Sequence, residues 1–160
     1  MDPVIYYRRA VADDVDVLTA HRLSFLAEIS GASSSDPALR AAIAQYFSQS
    51  IPTNHFIAFL ALANEKIIAT SGMTYHHHPP SNKNPAGREA YIMNMYTQPE
   101  FRRRGIATHL LQMLIDEARQ TQCGKISLHV MLGARSIYSS LGFELIETEM
   151  RLNLLPVPHK

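Results

Sequence analysis

Tryptophan is absent, cysteine occurs once and neither sign of charge dominates. Each shortage excludes something. The single thiol, Cys123, cannot close an internal disulfide, which fits a reducing compartment. With 15 Lys and Arg against 14 Asp and Glu, the formal net charge is +1, so no broad field draws the chain to nucleic acid or to an anionic membrane. No apolar run approaches the ~20 residues of a membrane span. Met1 to Ala10 carries paired arginines where a signal peptide would carry its apolar stretch. A cytoplasmic protein is therefore expected. Two nucleotide signatures are also missing: the Gly-x-x-x-x-Gly-Lys-Ser/Thr of a triphosphate loop and the Gly-x-Gly-x-x-Gly of a dinucleotide fold. No Ser–His–Asp arrangement is signalled, and nothing beside Cys123 marks it as a nucleophile.

What is present is an ordinary globular balance. The 160 residues are 46% hydrophobic and 18% charged, enough for one domain, residues 1–160, with its own core. Val4 to Tyr7 reads as a first strand. Asp13 and Asp14 open a helix whose apolar stripe is Val15, Leu18, Phe25 and Ile29. Gly31 to Ser35 breaks it, and Asp36 caps a second helix with Pro37 in its first turn, running to about Gln49. His55 to Ala63 and Lys66 to Tyr75 are β-like, with Asn64-Glu65 as a tight turn. His76 to Arg88 is rich in proline and histidine and reads as a loop.

Tyr91 to Thr97 is apolar on both faces apart from Asn94, as a central strand covered on both sides would be. After Gly105, Ala107, Leu110, Leu111, Leu114, Ile115 and Ala118 fall on one helical face. Lys125 to Val130 reads as a strand. A short amphipathic helix through Ala134, Ile137, Tyr138 and Leu141 follows, stopped by Gly142. Phe143 to Leu154 reads as one or two final strands. The element order predicts a single α/β or α+β domain with a mixed sheet.

The segment from Thr97 to Thr108 carries the chemistry. A buried strand ends, Arg102-Arg103-Arg104-Gly105 turns, and an amphipathic helix begins. The first turn of a helix has backbone N–H groups without internal partners, and the dipole favours an anion there. Such a junction suits a phosphate or pyrophosphate. Gly105 permits close backbone approach, Ala107 is small, and arginines add charge-assisted contacts. Taken alone, the same residues also read as a solvated basic loop.

Arg102-Arg103-Arg104-Gly105-Ile106-Ala107 resembles the Arg/Gln-x-x-Gly-x-Gly/Ala signature of the GNAT N-acetyltransferase superfamily. Tyr96 to Phe101 resembles the strand end that precedes it. Tyr138-Ser139-Ser140-Leu141-Gly142-Phe143 resembles the family's Tyr-x-x-Leu-Gly-Phe segment, and Arg8-Arg9-Ala10 with Asp14 its usual opening. The resemblance implies a mixed, mostly antiparallel central sheet with helices on both faces, splayed between the central strands. It implies acetyl-CoA as co-substrate and no metal. The pantetheine arm would lie against Met95, Tyr96 and Thr97, and the pyrophosphate against Arg102, Arg103, Arg104, Gly105, Ile106, Ala107 and Thr108. The acceptor would be a primary amine of a small molecule or peptide. A longer acyl group, and a catalytically silent acyl-CoA-binding module with a sensing role, fit the same resemblance. So does a homodimer, since an exposed strand near the C-terminus is available to pair with a second copy.

The resemblance also places a proton donor for the departing thiolate on Tyr138. From its neighbours alone, Tyr138 reads as a core tyrosine. Similar enzymes often carry a glutamate as base at the position of Asn94, and an asparagine cannot take a proton at neutral pH. Glu89, Glu28, His76, His77, His78 and bulk water remain as proton acceptors. Met131 stands where some members have an asparagine, while Ala134-Arg135 resembles a subgroup without it. Neighbouring residues on extended backbone point in alternating directions, so His76, His77 and His78 do not converge on one ion.

Overall fold

The computed structural model describes residues 3–31 and 36–155. The described residues fall into two compact units, one ending at His129 and one beginning at Val130.

The first unit is built on a six-stranded sheet. Strand β1 (Ile5–Arg9) leads through a single 3-10 turn into α1 (Val15–Ser30) and then α2 (Pro37–Ser50). Strands β2 (Phe56–Ile57), β3 (Phe59–Ala63), β4 (Lys66–His77) and β5 (Arg88–Thr97) follow, then α3 (Ile106–Gln120) and β6 (Lys125–Leu128). The order across the sheet is β1-β3-β4-β5-β6, with β2 also paired to β4. Every pairing is antiparallel except β5 with β6.

Local chemistry accounts for the boundaries. The Arg8 guanidinium grips Asp14 with two hydrogen bonds, 2.7 and 2.8 Å, while Asp14 Oδ2 accepts the Val11 N–H at 2.8 Å. This clamp fixes how β1 enters α1. Gly31 ends α1 in the left-handed conformation (φ 64°). The Asp36 carboxylate accepts the Ala38 N–H at 2.9 Å and so caps α2, with Pro37 in the first turn. Asn64 and Glu65 both have positive φ (47° and 65°), as a type I′ hairpin between β3 and β4 requires.

Buried side chains of α1 and α2 (Leu18, Phe47) meet Phe56, Ala58 and Leu60 in one core cluster, with Met93 of β5 packed against it. The inward face of α3, from Ile106 through Leu110, Leu111 and Leu114 to Ala118, is separately buried and covers the sheet's other side.

Three expectations shift. His76 and His77 belong to β4, not to a loop, because they pair with Glu89 and Arg88. Ile29 is exposed, whereas Leu23 is buried in α1. Residues 143–155 form no strand: the second unit contains α4 (Arg135–Ser140), a preceding 3-10 turn and an irregular segment. Leu145, Ile146, Met150, Leu152 and Leu154 are exposed there. Their pattern suits a pleated surface, but a strand exists only where a neighbouring edge supplies the ladder, and no such edge pairs with them among the described residues.

Two predictions follow from the clamp and the sheet. The bonds to Arg8 come first among the causes that hold the Asp14 carboxyl below its usual value near 3.8; its burial opposes them. A lowered folded value means that the contribution is complete above the unfolded value and is lost as pH falls through the folded one. Asp14→Asn should therefore lower stability by about 2 kcal/mol at pH 7 in urea unfolding, with the gap to wild type closing below pH 4. At Gly72 any Cβ would overlap the Phe56 ring, which is buried. Gly72→Ala should cost about 1–3 kcal/mol in the same assay.

Candidate active site

Strand β5 carries one residue more than its partner. Gly72 faces Met93 and Thr70 faces Tyr96, so two steps on β4 match three on β5. The surplus is absorbed near Asn94, whose backbone is left-handed (φ 60°). Asparagine tolerates this conformation better than most residues. A one-residue bulge reverses which side chains face which side. Met93 packs with the α1–α2 core, and three positions later Tyr96 again faces α1, its ring 5.1 Å from that of His21. The Asn94 carbonyl accepts a bond from the Thr70 hydroxyl at 3.4 Å, and its side-chain amide is buried with neither polar atom partnered.

Strand β6 follows β5 only as far as the Ile92–Leu128 pair. Beyond it, Met93 to Thr97 run on with no strand on that edge among the described residues, so β5 and β6 part. This is the splay that the family resemblance implies. Met95, Tyr96 and Thr97 are half-buried on the unpaired stretch.

The chain then turns into α3. Gln98 N–H bonds to the Ile68 carbonyl at 2.9 Å, and Pro99–Phe101 form a 3-10 turn. Arg103 (φ 59°) and Gly105 (φ 76°) are both left-handed, and a Cβ at Gly105 would meet nothing. The helix's first backbone bond is His109 N–H to the Gly105 carbonyl at 3.0 Å. The N–H groups of Ile106, Ala107 and Thr108 thus precede the first intrahelical bond and point out of the helix end.

The three arginines differ. Arg102 is a strut: it donates to the Thr97 carbonyl at 2.8 Å, pairs with Glu28 of α1 at 2.6 Å and lies over the Tyr96 ring. Arg104 donates to the Glu100 carbonyl at 3.1 Å and lies over Phe101. Arg103 is exposed, and its side chain makes no hydrogen bond or ion pair among the described residues.

The candidate proton acceptors are mostly engaged. Glu89 is buried and takes the Ser127 hydroxyl at 2.6 Å, Lys125 at 3.1 Å and His78 at 3.3 Å. Burial alone would raise its carboxyl, but the bonds from Ser127 and Lys125 outweigh it and hold the group below its usual value. Glu28 is tied to Arg102. His76 stacks on Tyr91 (5.6 Å, 8°), whose hydroxyl makes a short hydrogen bond to His129 Nδ1. Tyr138, on α4 in the second unit, is half-buried with its ring edge-on to Phe143 at 5.8 Å, and burial pushes its phenol above the ordinary value.

Two side chains near the bulge escaped the sequence reading. His21 is buried on α1, where burial lowers its imidazole, and its Nε2 lies 3.4 Å from the Gln98 amide. Arg22 beside it is half-buried, with no carboxylate within ion-pair distance among the described residues. The only signal in the sequence was their position within a helix whose outer face is otherwise polar.

The sequence profile of the acetyltransferase (GNAT) family matches residues 20–143. Among curated proteins there is no match. A predicted acetyltransferase from Clostridium acetobutylicum, solved with acetyl-CoA, is 32% identical, with 98% of this chain and 100% of that one covered and a TM-score of 0.87. A family N-acetyltransferase from Ralstonia eutropha shares the fold at 20% identity, covering 94% and 99%, with a TM-score of 0.85. Glucosamine-6-phosphate N-acetyltransferase from Arabidopsis thaliana shares it at 14% identity, covering 94% and 99%, with a TM-score of 0.73. The bulged strand, its splayed neighbour and the arginine–glycine turn thus sit in a chain that belongs to the acetyltransferase (GNAT) family.

Proposed function

We propose that the protein transfers an acetyl group from acetyl-CoA to a primary amine, as one domain spanning the chain and by direct attack in a ternary complex. The observation that carries this reading is the unpaired stretch of β5 leading straight into the bare N-terminus of α3. One surface offers extended backbone to the pantetheine amides, and the next offers N–H donors to the pyrophosphate. Met95, Tyr96 and Thr97 would supply the former. The Arg102 side chain occupies one acceptor site of the Thr97 carbonyl, so Met95 and Tyr96 have the larger share. Ile106, Ala107 and Thr108 would supply the latter, with Arg103 as the mobile counter-charge and Gly105 admitting the phosphate. Arg102 and Arg104 hold the turn in shape.

The amine nitrogen, once neutral, attacks the thioester carbon. The oxygen becomes an oxyanion, for which a backbone N–H at Met95 or Tyr96 is the nearest kind of donor. The C–S bond then breaks and the thiolate takes a proton from Tyr138. An ordinary phenol near ~10 gives a proton to a thiol near ~8.5 slightly uphill, and burial of Tyr138 steepens that slope until charge develops on sulfur. Glu89 and Glu28 are bound to cations, so the amine's own proton leaves to water. Asn94, in place of a carboxylate, is the feature that favours the silent acyl-CoA-binding reading; turnover decides between them.

Calorimetry with acetyl-CoA should show micromolar binding, weakened at least tenfold in an Arg103→Glu, Gly105→Asp double variant that reverses charge and blocks the helix end. Well-folded wild type that binds no acetyl-CoA would sink the proposal. Tyr138→Phe should lower kcat by about 10- to 100-fold in a thiol-release assay over an amine panel while leaving acetyl-CoA affinity unchanged. An unchanged kcat would remove Tyr138 from the proton path.

A further inference from the structure

Strands β5 and β6 part at one identifiable place, and a hydrogen bond stands there. The last paired residues are Ile92 and Leu128. His129 follows, where it would face Met93 if the ladder ran on. Its Nδ1 instead shares a hydrogen bond with the Tyr91 hydroxyl. Tyr91 itself pairs with Ser127, so its phenol leans forward by two positions to reach His129. The hydroxyl therefore lies at the level of Met93, at the foot of the opening and one residue short of the bulge at Asn94. Neighbouring rings hold the phenol in this pose. His76 stacks on it with centroids 5.6 Å apart and planes at 8°, and the His129 ring meets it at 63°.

The face of the sheet matters as much as the position along it. Side chains alternate along a strand, so Tyr91 shares its face with Met93, which packs against the α1–α2 core. Helix α3 covers the opposite face. On the proposed reading, acetyl-CoA reaches the gap from the N-terminus of α3. An amine attacking the thioester there has the α1–α2 face left to approach from, and on that face it meets Tyr91. No carboxylate competes for its proton. Glu89, two residues back on the same face, is already bound by Ser127, Lys125 and His78. His129 is exposed, so a proton that arrives at Nδ1 has a way out to water through Nε2.

Resting on the acetyltransferase reading, we infer that Tyr91 and His129 form the relay that carries the amine's proton to water, with Tyr91 in contact with the attacking nitrogen and His129 acting through it. The neutral amine attacks the thioester carbon, and its nitrogen becomes cationic. One N–H bond then breaks and that proton joins Tyr91 Oη, while the phenol's own proton moves to His129 Nδ1. The phenol ends as it began, the imidazole becomes an imidazolium, and the tetrahedral adduct keeps its oxyanion. His129 returns to neutral by giving a proton from Nε2 to solvent. A neutral phenol alone is too weak a base for this step, and the imidazole behind it supplies the driving force.

The test follows kcat/KM against pH at saturating acetyl-CoA, with methoxyamine as acceptor beside the amine panel. Methoxyamine is small and stays uncharged through the neutral range, so its own protonation does not shape the profile. Calorimetric binding of acetyl-CoA is measured first and should agree within about twofold between wild type and variants. Wild-type kcat/KM should fall on the acid side as His129 takes up a proton. His129→Gln should lower the neutral rate by about 100-fold and flatten that limb. Tyr91→Phe should cost a similar factor, and the double variant should be little worse than either, as parts of one unit behave. The other titratable or charged groups facing the pair are His76 and His78 at the end of β4, Glu89 on β5, Lys125 on β6 and, on α1, Arg22, whose cation a Tyr91 phenolate would favour. His76→Gln, which removes only the stacked ring, should keep the acid limb. An acid limb that survives His129→Gln, a Tyr91→Phe rate within about twofold of wild type, or additive losses in the double variant would each overturn the inference. Wild type that binds no acetyl-CoA, or binds it and acetylates no amine, removes the acetyltransferase reading and the relay together. Acetylation with an unaltered acid limb in His129→Gln removes the relay alone.

Discussion

Between Met93 and Tyr96, β5 holds one residue more than the strand it pairs with, and a left-handed backbone at Asn94 takes up the excess. Much else depends on that misfit. It turns Tyr96 back toward α1, where His21 and Arg102 hold it from two sides. It falls just beyond the point where the parallel ladder with β6 stops. Opposite it, Gly72 leaves room for the Phe56 ring, which fills the space that any side chain there would take. The residue at the bulge is then chosen by backbone before chemistry. Asparagine enters the left-handed region several-fold more readily than most residues, so Asn94 serves the bend even though it cannot act as a base.

The arginine triplet shows how a basic motif divides its labour. Identical side chains at successive positions end in three environments because the turn reverses direction between them. Arg102 points back to the strand end and to Glu28, Arg104 lies along the turn over Phe101, and Arg103, at the left-handed residue, projects outward. Anion binding at such a junction rests first on backbone N–H groups, which cannot be mutated away, and only second on side-chain charge. Two of three charges are therefore available to build the turn without emptying the site.

Legibility followed locality. Elements set by their own residues were visible in the sequence: the Asp36–Pro37 start of α2, the Asn64-Glu65 turn, the unbroken apolar face of α3 and the arginine–glycine junction. What depended on partners was not. The segment 143–155 has the composition of a strand but no edge to pair with among the described residues. His76 and His77 looked like loop because their neighbours are prolines, yet β5 opposite them extends the ladder. Arg22 and His21 gave no signal beyond their place on a helix, because a polar residue there is ordinarily solvated. Only the fold, which buries His21 beside Tyr96 with its Nδ1 unpartnered, makes that side chain visible.

The same packing bears on the hardest step of acyl transfer, which is presenting a neutral amine. With an ordinary amine value near ~10.4, roughly one molecule in a few thousand is neutral at pH 7. A carboxylate base would correct this, but Glu89 and Glu28 already balance Lys125 and Arg102. The remaining lever is the environment. Moving an ammonium from water onto the half-buried, unpaired stretch of β5 around Tyr96 disfavours its charged form. On the proposed reading, an acceptor held by contacts away from its amine gains affinity from one end while the amine end loses solvation at the other. The binding energy of those contacts can then be spent on deprotonation at the reacting atom, which matters most where no carboxylate is free to act as a base.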